Sequence, residues 1–358
     1  MSKPPHQPAT TCPSSLTSAA LQLHYLAEGA ANVIYSASVF SPPSLYRHSH
    51  CCVMRLRKDL SFTKPAMEAM SDFQSSIVPL FTRHGYEALL MEQALYQLTP
   101  EMVKLANEEL KEMDRVDLAG LSVDAVLVKN RRKAKVRHHH RRHVYLPPYE
   151  EEPYGILMPN LQGPGIDWLV EFKPKWLVQS PSAPKDARNC RTCALNAMRR
   201  KAGKHQGRGD SGFCPMDLLS GRDGLLLIAL TNIWPLESGV GEFVGTFKAK
   251  VQPALRYLEV LQREHGTVGL EDFRNPDNKD FGVAMALRDC SVFLALQRRT
   301  DSDEGGVSVA NVKFADLDLK TAEGGKILKW ACTEQELLDG GWYYSPDGSD
   351  CSLSRGEG

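Results

Sequence analysis

The chain has 358 residues, of which 42% are hydrophobic, and its 43 basic and 43 acidic side chains leave no formal net charge. That length suits one large domain or two lobes, and the neutral balance means any polyanion must be held by local clusters, not by a global field. No apolar run is long enough to span a membrane as a helix. Nine cysteines without a secretory signal point to reduced thiols of the nucleus or cytoplasm.

The first 20 residues, rich in Pro, Ser and Thr, read as a disordered leader. "LHYLAEGAANVIYSASV" then offers two strands around Gly29 and the small residues Ala30 and Ala31, with a further strand in "HCCVMRLRKDL". Strand, small-residue turn, strand is how a lid over nucleotide phosphates is built, although most such turns are plain hairpins. "ALLMEQALYQLTPEMVKLANEELKEMDR" has helical apolar spacing, broken at Pro100, with Thr99 as N-cap of a second helix. The acid-free block 129–143 is followed by an acidic run. It reads as a solvated surface insertion spanning 129–152, with nucleic-acid contact as the competing reading.

"YGILMPNLQGPG" is a short strand before a Pro/Gly turn, which places a lobe boundary at 160/161. The expected organisation is a leader at 1–20, an N-lobe at 21–160 and a C-lobe at 161–358. "LVEFKPKWLV" reads as a strand whose period-2 alternation aims Glu171, Lys173 and Lys175 to one side, although Pro174 removes a donor. "ALRYLEVLQREHG" and "DNKDFGVAMALRD" read as helices, the first capped by Gly266. "CSVFLALQRR" and "VSVANVKFADLDL" form a hairpin whose turn, near residues 302 and 303, brings Asp289 and Asp316 together. Two carboxylates at strand ends suit Mg²⁺ ligation or proton abstraction from a hydroxyl, and facing lysines suit phosphoryl charge. These pieces add up to a phosphotransferase. Cys190, Cys193, His205 and Cys214 make a C-x₂-C…H…C set, read either as reduced, partly buried thiols, the preferred reading, or as a structural zinc site.

Six motifs in order resemble the inositol-pentakisphosphate 2-kinase family: "AEGAANVIY", "VEFKPKW", "NCRTCALNAMRRKAG", "FCPMDLLSG", "LRDCSV" and "FADLDLK". In detail they are most similar to fungal members. The resemblance implies an α+β, two-lobed kinase-like fold of the inositol polyphosphate kinase type. Its N-lobe has an antiparallel sheet plus helices, and its C-lobe is larger and mixed. It also implies ATP and Mg²⁺ as cofactors, inositol 1,3,4,5,6-pentakisphosphate as acceptor and a monomer that leaves membranes alone. By position, Ala30 and Asn32 cover ATP phosphates, and Arg55 (or Arg57, one register away) supplies a nucleotide-contacting cation. Leu157 to Asn160 form the hinge beside adenine. Lys173 faces the transferred group and Lys175 the inositide. Arg191, Arg199 and Lys320 bind inositide phosphates. Asp289 is the base, and Asp316 with Asp318 holds Mg²⁺. Three departures stand out. Leu195 and Asn196 replace a histidine common in the family, "PLESGVGEF" replaces an asparagine pair, and Lys326 and Lys329 are spaced differently beyond Lys320.

Overall fold

The computed structural model describes residues 21–39, 52–119, 137–203, 212–235, 239–272, 279–299, 306–320, 326–346 and 351–355. Strands are β1 (Leu21–Glu28), β2 (Asn32–Val39), β3 (Cys52–Arg57), β4 (Ala94–Gln97), β5 (Tyr154–Pro159), β6 (Trp168–Phe172), β7 (Ser291–Arg298) and β8 (Val307–Ala315). Helices are α1 (Ala66–Asp72), α2 (Val78–Thr82), α3 (Pro100–Ala119), α4 (Arg191–Lys201), α5 (Asp223–Ile233), α6 (Val240–Lys250), α7 (Gln252–His265), α8 (Lys279–Asp289) and α9 (Lys326–Asp339). The chain forms two compact units. One runs to Ser71 and resumes over Glu92–Gly163; the other comprises Asp72–Met91 and everything from Pro164. Two antiparallel sheets with helices make the architecture α+β, and the two units fit a two-lobed kinase-like fold.

The first unit is built on a five-stranded antiparallel sheet in the order β1-β2-β3-β5-β4. Alternation decides its faces. Cys52, Met54 and Leu56 of β3 are buried beside Val33, Tyr35 and Ala37 of β2, and α3 covers them with Met102, Val103, Ala106 and Leu110. Arg55 and Arg57 therefore project from the opposite side of β3. The Tyr35 hydroxyl donates to Ala106 O at 3.2 Å. A register shift between Tyr25 and Ala27 frees the Tyr25 N–H, which Glu109 of α3 accepts at 2.9 Å.

The helix expected from residue 88 begins only at Pro100. Thr99 caps it as expected, its hydroxyl accepting from Met102 N at 3.2 Å. The stretch before Pro100 is a short 3-10 turn followed by β4, paired antiparallel with β5. Edge pairing won over helical periodicity there, because Pro100 blocks helix propagation toward its N-terminal side.

The second unit centres on a three-stranded sheet in the order β6-β7-β8. The middle strand β7 is covered on both faces, with Val292, Leu294, Ala295 and Leu296 all buried, which is why it reads as an unbroken apolar run. Residues 72–91, expected in the N-lobe, pack here instead. Tyr86 stacks on Tyr257 of α7 at 3.8 Å, the Tyr257 hydroxyl donates to Leu80 O at 2.5 Å, and Met91 N donates to Phe314 O at 3.0 Å. Aromatic contacts distant in sequence decide that placement, and local patterning is silent about them. The expected leader at 1–20, the turn near residues 302 and 303 and residues 129–136 of the basic block lie outside the described residues.

Candidate active site

β6 ends at Phe172, short of both lysines. The single strand face expected for Glu171, Lys173 and Lys175 is therefore not formed. Pro174 cannot donate to a ladder, and Lys175 adopts a left-handed backbone with φ 58°. Glu171 stays on the strand and accepts from Ser291 Oγ at 2.8 Å. The lysines leave it and turn toward the ends of α8 and β8. For a non-glycine residue such a φ is costly and persists only where the surroundings enforce it.

The enforcing residue is Gln262, fully buried on α7. Its Nε2 donates to Lys175 O and to Leu287 O, both at 2.9 Å, while its Oε1 accepts from Leu177 N at 2.8 Å. One amide thus clips the lysine segment to the last turn of α8, two residues before Asp289. Trp176 is fixed as well, lying 4.6 Å from the Arg191 guanidinium and 3.8 Å from that of Arg288. Gly266 closes α7 at close quarters: a Cβ there would fall 2.0 Å from Gln262 O.

Ser291 stands opposite Ala315, so Asp289 and Asp316 lie just beyond the paired ends of β7 and β8. Lys173 Nζ donates to Asp316 Oδ2 at 2.7 Å and to Asp289 O at 2.6 Å, and lies 3.5 Å from Asp289 Oδ2. Lys175 Nζ donates to Asp289 Oδ1 at 3.0 Å. Lys320 Nζ donates to Asp316 Oδ1 at 3.3 Å. Asp316 is itself left-handed, with φ 56°, which aspartate tolerates better than most residues. Lys320 can approach because Gly282 of α8 has no side chain; a Cβ there would meet Lys320 O at 3.2 Å. Asp318 is half-buried two residues past Asp316.

The cluster sets its own charge states. Burial works against the Lys173 ammonium, but Asp316 and then Asp289 outweigh it and raise the lysine above its ordinary value. Burial likewise works against ionised Asp316, yet Lys320 and Lys173 hold its carboxyl below the usual carboxylate range. Asp316 and Asp289 are 43% and 40% exposed, so the carboxylates remain open to a ligand.

The arginines are placed differently. Arg199 is half-buried in the last turn of α4. Arg191, at the start of the same helix, is buried, and its Nε donates to Glu334 of α9 at 2.7 Å. Glu334 also accepts from Ser180 Oγ at 2.8 Å and from the Tyr343 hydroxyl at 2.5 Å. Arg191 thus ties α4, α9 and Trp176 together, a positioning role in this structure. Burial and Arg191 push its neighbour Arg288 down to about 9, still protonated at neutral pH.

In the first unit, Ala30 is exposed in the β1–β2 turn, where Gly29 N donates to Asn32 O at 2.8 Å. Arg55 Nη2 donates to Gln93 Oε1 at 3.4 Å, and Arg57 pairs with Glu152 at 2.7 Å. Leu157 points into the core, and Asn160 Oδ1 accepts from Gln162 N at 3.0 Å. The turn has a support the sequence reading missed. Lys58 Nζ donates to Gly29 O at 2.9 Å and pairs with Glu28 at 2.6 Å. Arg137 has no exposed side-chain surface and donates to both Glu28 oxygens and to Asp114. Arg141 donates to Glu28 O. Arg137 and Arg141 of the basic block are therefore built into the fold beneath the turn, whereas His138, His139, His140 and His143 are exposed, as a solvated insertion would have them. A run of cations hides which member has acidic partners 109 and 23 residues upstream.

Gln262 and Lys58 were also passed over. Gln262 was findable, as the one amide within the apolar stripe of its helix. Lys58 had no signal beyond following a strand. Of the predicted zinc set, His205 lies outside the described residues, whereas Cys190, Cys193 and Cys214 cluster with an unforeseen Cys351.

A family model described as inositol-pentakisphosphate 2-kinase matches residues 25–278 and 250–336. A Yarrowia lipolytica protein named inositol-pentakisphosphate 2-kinase is 34% identical over 225 residues, covering 56% of this chain and 69% of that protein. A match that spans both units and reaches the segment beyond Lys320 places the chain in the inositol-pentakisphosphate 2-kinase family.

Proposed function

We propose that this protein transfers the γ-phosphoryl group of ATP to the axial 2-hydroxyl of inositol 1,3,4,5,6-pentakisphosphate, giving inositol hexakisphosphate. The carrying observation is the meeting of Lys173, Lys175 and Lys320 with Asp289 and Asp316 at the ends of β7 and β8. Asp289 is the base: its carboxylate, held by Lys175, accepts the proton of the 2-hydroxyl as the oxygen attacks. Lys173 stabilises charge on the transferring group, and Lys320 with Arg199 meets inositide phosphates. Arg191 supports this surface through Trp176. Ala30, Asn32, Arg55 and the backbone of 157–160 serve the nucleotide from the first unit.

The residues also fit a magnesium ion. Asp316 and Asp318 offer the hard oxygen donors Mg²⁺ favours, and the ion would neutralise phosphoryl charge. The lysines are already engaged with carboxylates, so an arriving phosphate exchanges one set of charge-assisted bonds for another. Nucleic-acid binding through 129–143 has no comparable support, since Arg137 is buried in ion pairs. The test is acceptor selectivity with Mg-ATP. The 1,3,4,5,6-isomer should be converted to the hexakisphosphate. A pentakisphosphate already esterified at the 2-position should not be, and equal turnover of both would defeat the assignment.

A further inference from the structure

Behind the lysine–aspartate centre stands a cation that the proposed chemistry does not use. Arg288, in the last turn of α8 and one residue before Asp289, is 2% exposed. Its Nη2 donates to Val268 O at 3.0 Å and to Gly266 O, just past α7, and its Nη1 lies 3.5 Å from Met285 Sδ. Among the described residues none of its hydrogen bonds goes to a carboxylate, and its Nε has no acceptor. Arg191, over the same Trp176 ring, differs in being paired with Glu334 at 2.7 Å. Burying a cation without a counter-ion is costly, so Arg288 is a poor choice for packing alone.

What the guanidinium offers is a flat, charged face, 3.8 Å from the centre of the Trp176 ring. Trp176 follows Lys175, and Arg288 precedes Asp289. The stack therefore joins the two segments that meet at the bond from Lys175 Nζ to Asp289 Oδ1, 3.0 Å long. Gln262 joins the same segments through their backbones, at Lys175 O, Leu177 N and Leu287 O. The stack adds a second clip, through side chains, which fixes orientation as well as distance. It also bears on the left-handed Lys175 backbone, which persists only where its surroundings enforce it. The guanidinium is itself anchored by carbonyls at the C-terminal end of α7, where a cation suits the helix dipole.

We infer that Arg288 is a positioning residue for phosphoryl transfer, whose stack on Trp176 holds Lys175 against Asp289. The inference rests on the reading of Asp289 as the base. Arg288 is buried behind the reacting groups and acts through Trp176 and Lys175. The Asp289 carboxylate must point at the acceptor hydroxyl with the Lys175 ammonium beside it, and a misplacement of about 1 Å at such a centre can cost about 10²-fold in rate. An aliphatic side chain at 288 would avoid the burial of charge but would lose the cation on the ring and the bonds to Gly266 O and Val268 O.

Crystal structures of the full-length wild type and of Arg288→Met read the geometry directly. The 3.0 Å contact between Lys175 Nζ and Asp289 Oδ1 should be present in the first and lost in the second. Kinetics read the consequence. With Mg-ATP and inositol 1,3,4,5,6-pentakisphosphate, Arg288→Met and Trp176→Leu should each lower kcat by about 10- to 100-fold, with inositide KM changed by about threefold or less. Trp176→Phe, which keeps an aromatic face, should recover much of the rate lost in Trp176→Leu. In a Lys175→Met background, Arg288→Met should cost a further factor of about two or less, because the side chain it positions is gone. Should Arg288→Met fail to fold, Trp176→Leu and Arg288→Lys carry the same comparisons. A contact absent from the wild type or intact in the variant, or a rate loss that multiplies in full with that of Lys175→Met, would overturn the inference. A wild type that holds the contact but makes no hexakisphosphate would count against the assigned reaction instead, and the paired structures would still decide the role of Arg288.

Discussion

Replacing Arg137 by methionine keeps side-chain length and apolar bulk but removes a guanidinium with no exposed surface. Glu28 loses bonds of 3.0 and 3.1 Å but keeps Lys58 at 2.6 Å. Asp114 loses its cation and keeps, among the described residues, the Tyr145 hydroxyl and His143 N, each at 3.1 Å. The carbonyls of Arg141 and Val144 lose a donor. Breaking a buried ion pair from one side costs about 3–5 kcal/mol, a large share of the roughly 5–15 kcal/mol that holds a typical domain together. Arg115→Met, which removes an exposed pair with Glu112, should cost about 1 kcal/mol or less. The comparison is made by urea unfolding of both variants. Burial raises Glu28, but Arg137 and Lys58 outweigh it and hold the carboxyl below its ordinary value of 4.5. A depressed carboxylate contributes stability above that value, lost as pH falls through the folded pKa. The gap between wild type and Arg137→Met should therefore be constant near neutrality and narrow below pH 4.5. ATP should also bind less tightly, because the Gly29 turn loses part of its base. An Arg137→Met loss no greater than that of Arg115→Met would refute the reasoning.

Three further outcomes follow from the same geometry. Gln262→Leu strands two buried backbone groups, Leu287 O and Leu177 N, at about 1–3 kcal/mol each, besides the half-buried Lys175 O, so stability should fall by at least about 2 kcal/mol; an unchanged denaturation midpoint would show that the clip is unimportant. Lys173→Met should lower kcat by about 10²–10³ with a smaller change in inositide KM, as expected for a group acting on developing charge, whereas a pure KM effect would assign it to ground-state binding. Arg191→Met leaves Glu334 buried without its cation and should cost about 3–5 kcal/mol of stability, readable by thermal unfolding; loss of inositide affinity with stability intact would make it a direct ligand instead.

The sequence made the hairpin of β7 and β8 legible because alternation and turn composition are local, and its register brought Asp289 toward Asp316. The lysine pair was legible as residues but not as geometry. Strand period suggested a common face, whereas Pro174 and the left-handed Lys175 send both side chains off the strand. What produces that bend is Gln262, 87 residues away from Lys175, and no local pattern encodes such a partner. The same holds for Arg137, whose meaning depends on Glu28 and Asp114. Cys351 was missed because a C-x₂-C pair advertises its near neighbours and not a thiol 161 residues distant. The placement of residues 72–91 likewise rests on aromatic stacking against Tyr257.

The most direct test of the central claim is single-turnover phosphoryl transfer from Mg-ATP to inositol 1,3,4,5,6-pentakisphosphate by wild type and Asp289→Asn. The account predicts hexakisphosphate from the wild type, and from the variant a rate lower by about 10²–10⁴, the typical worth of a general base, with inositide still bound. An Asp289→Asn rate within about threefold of wild type would contradict the assignment of this aspartate as the base.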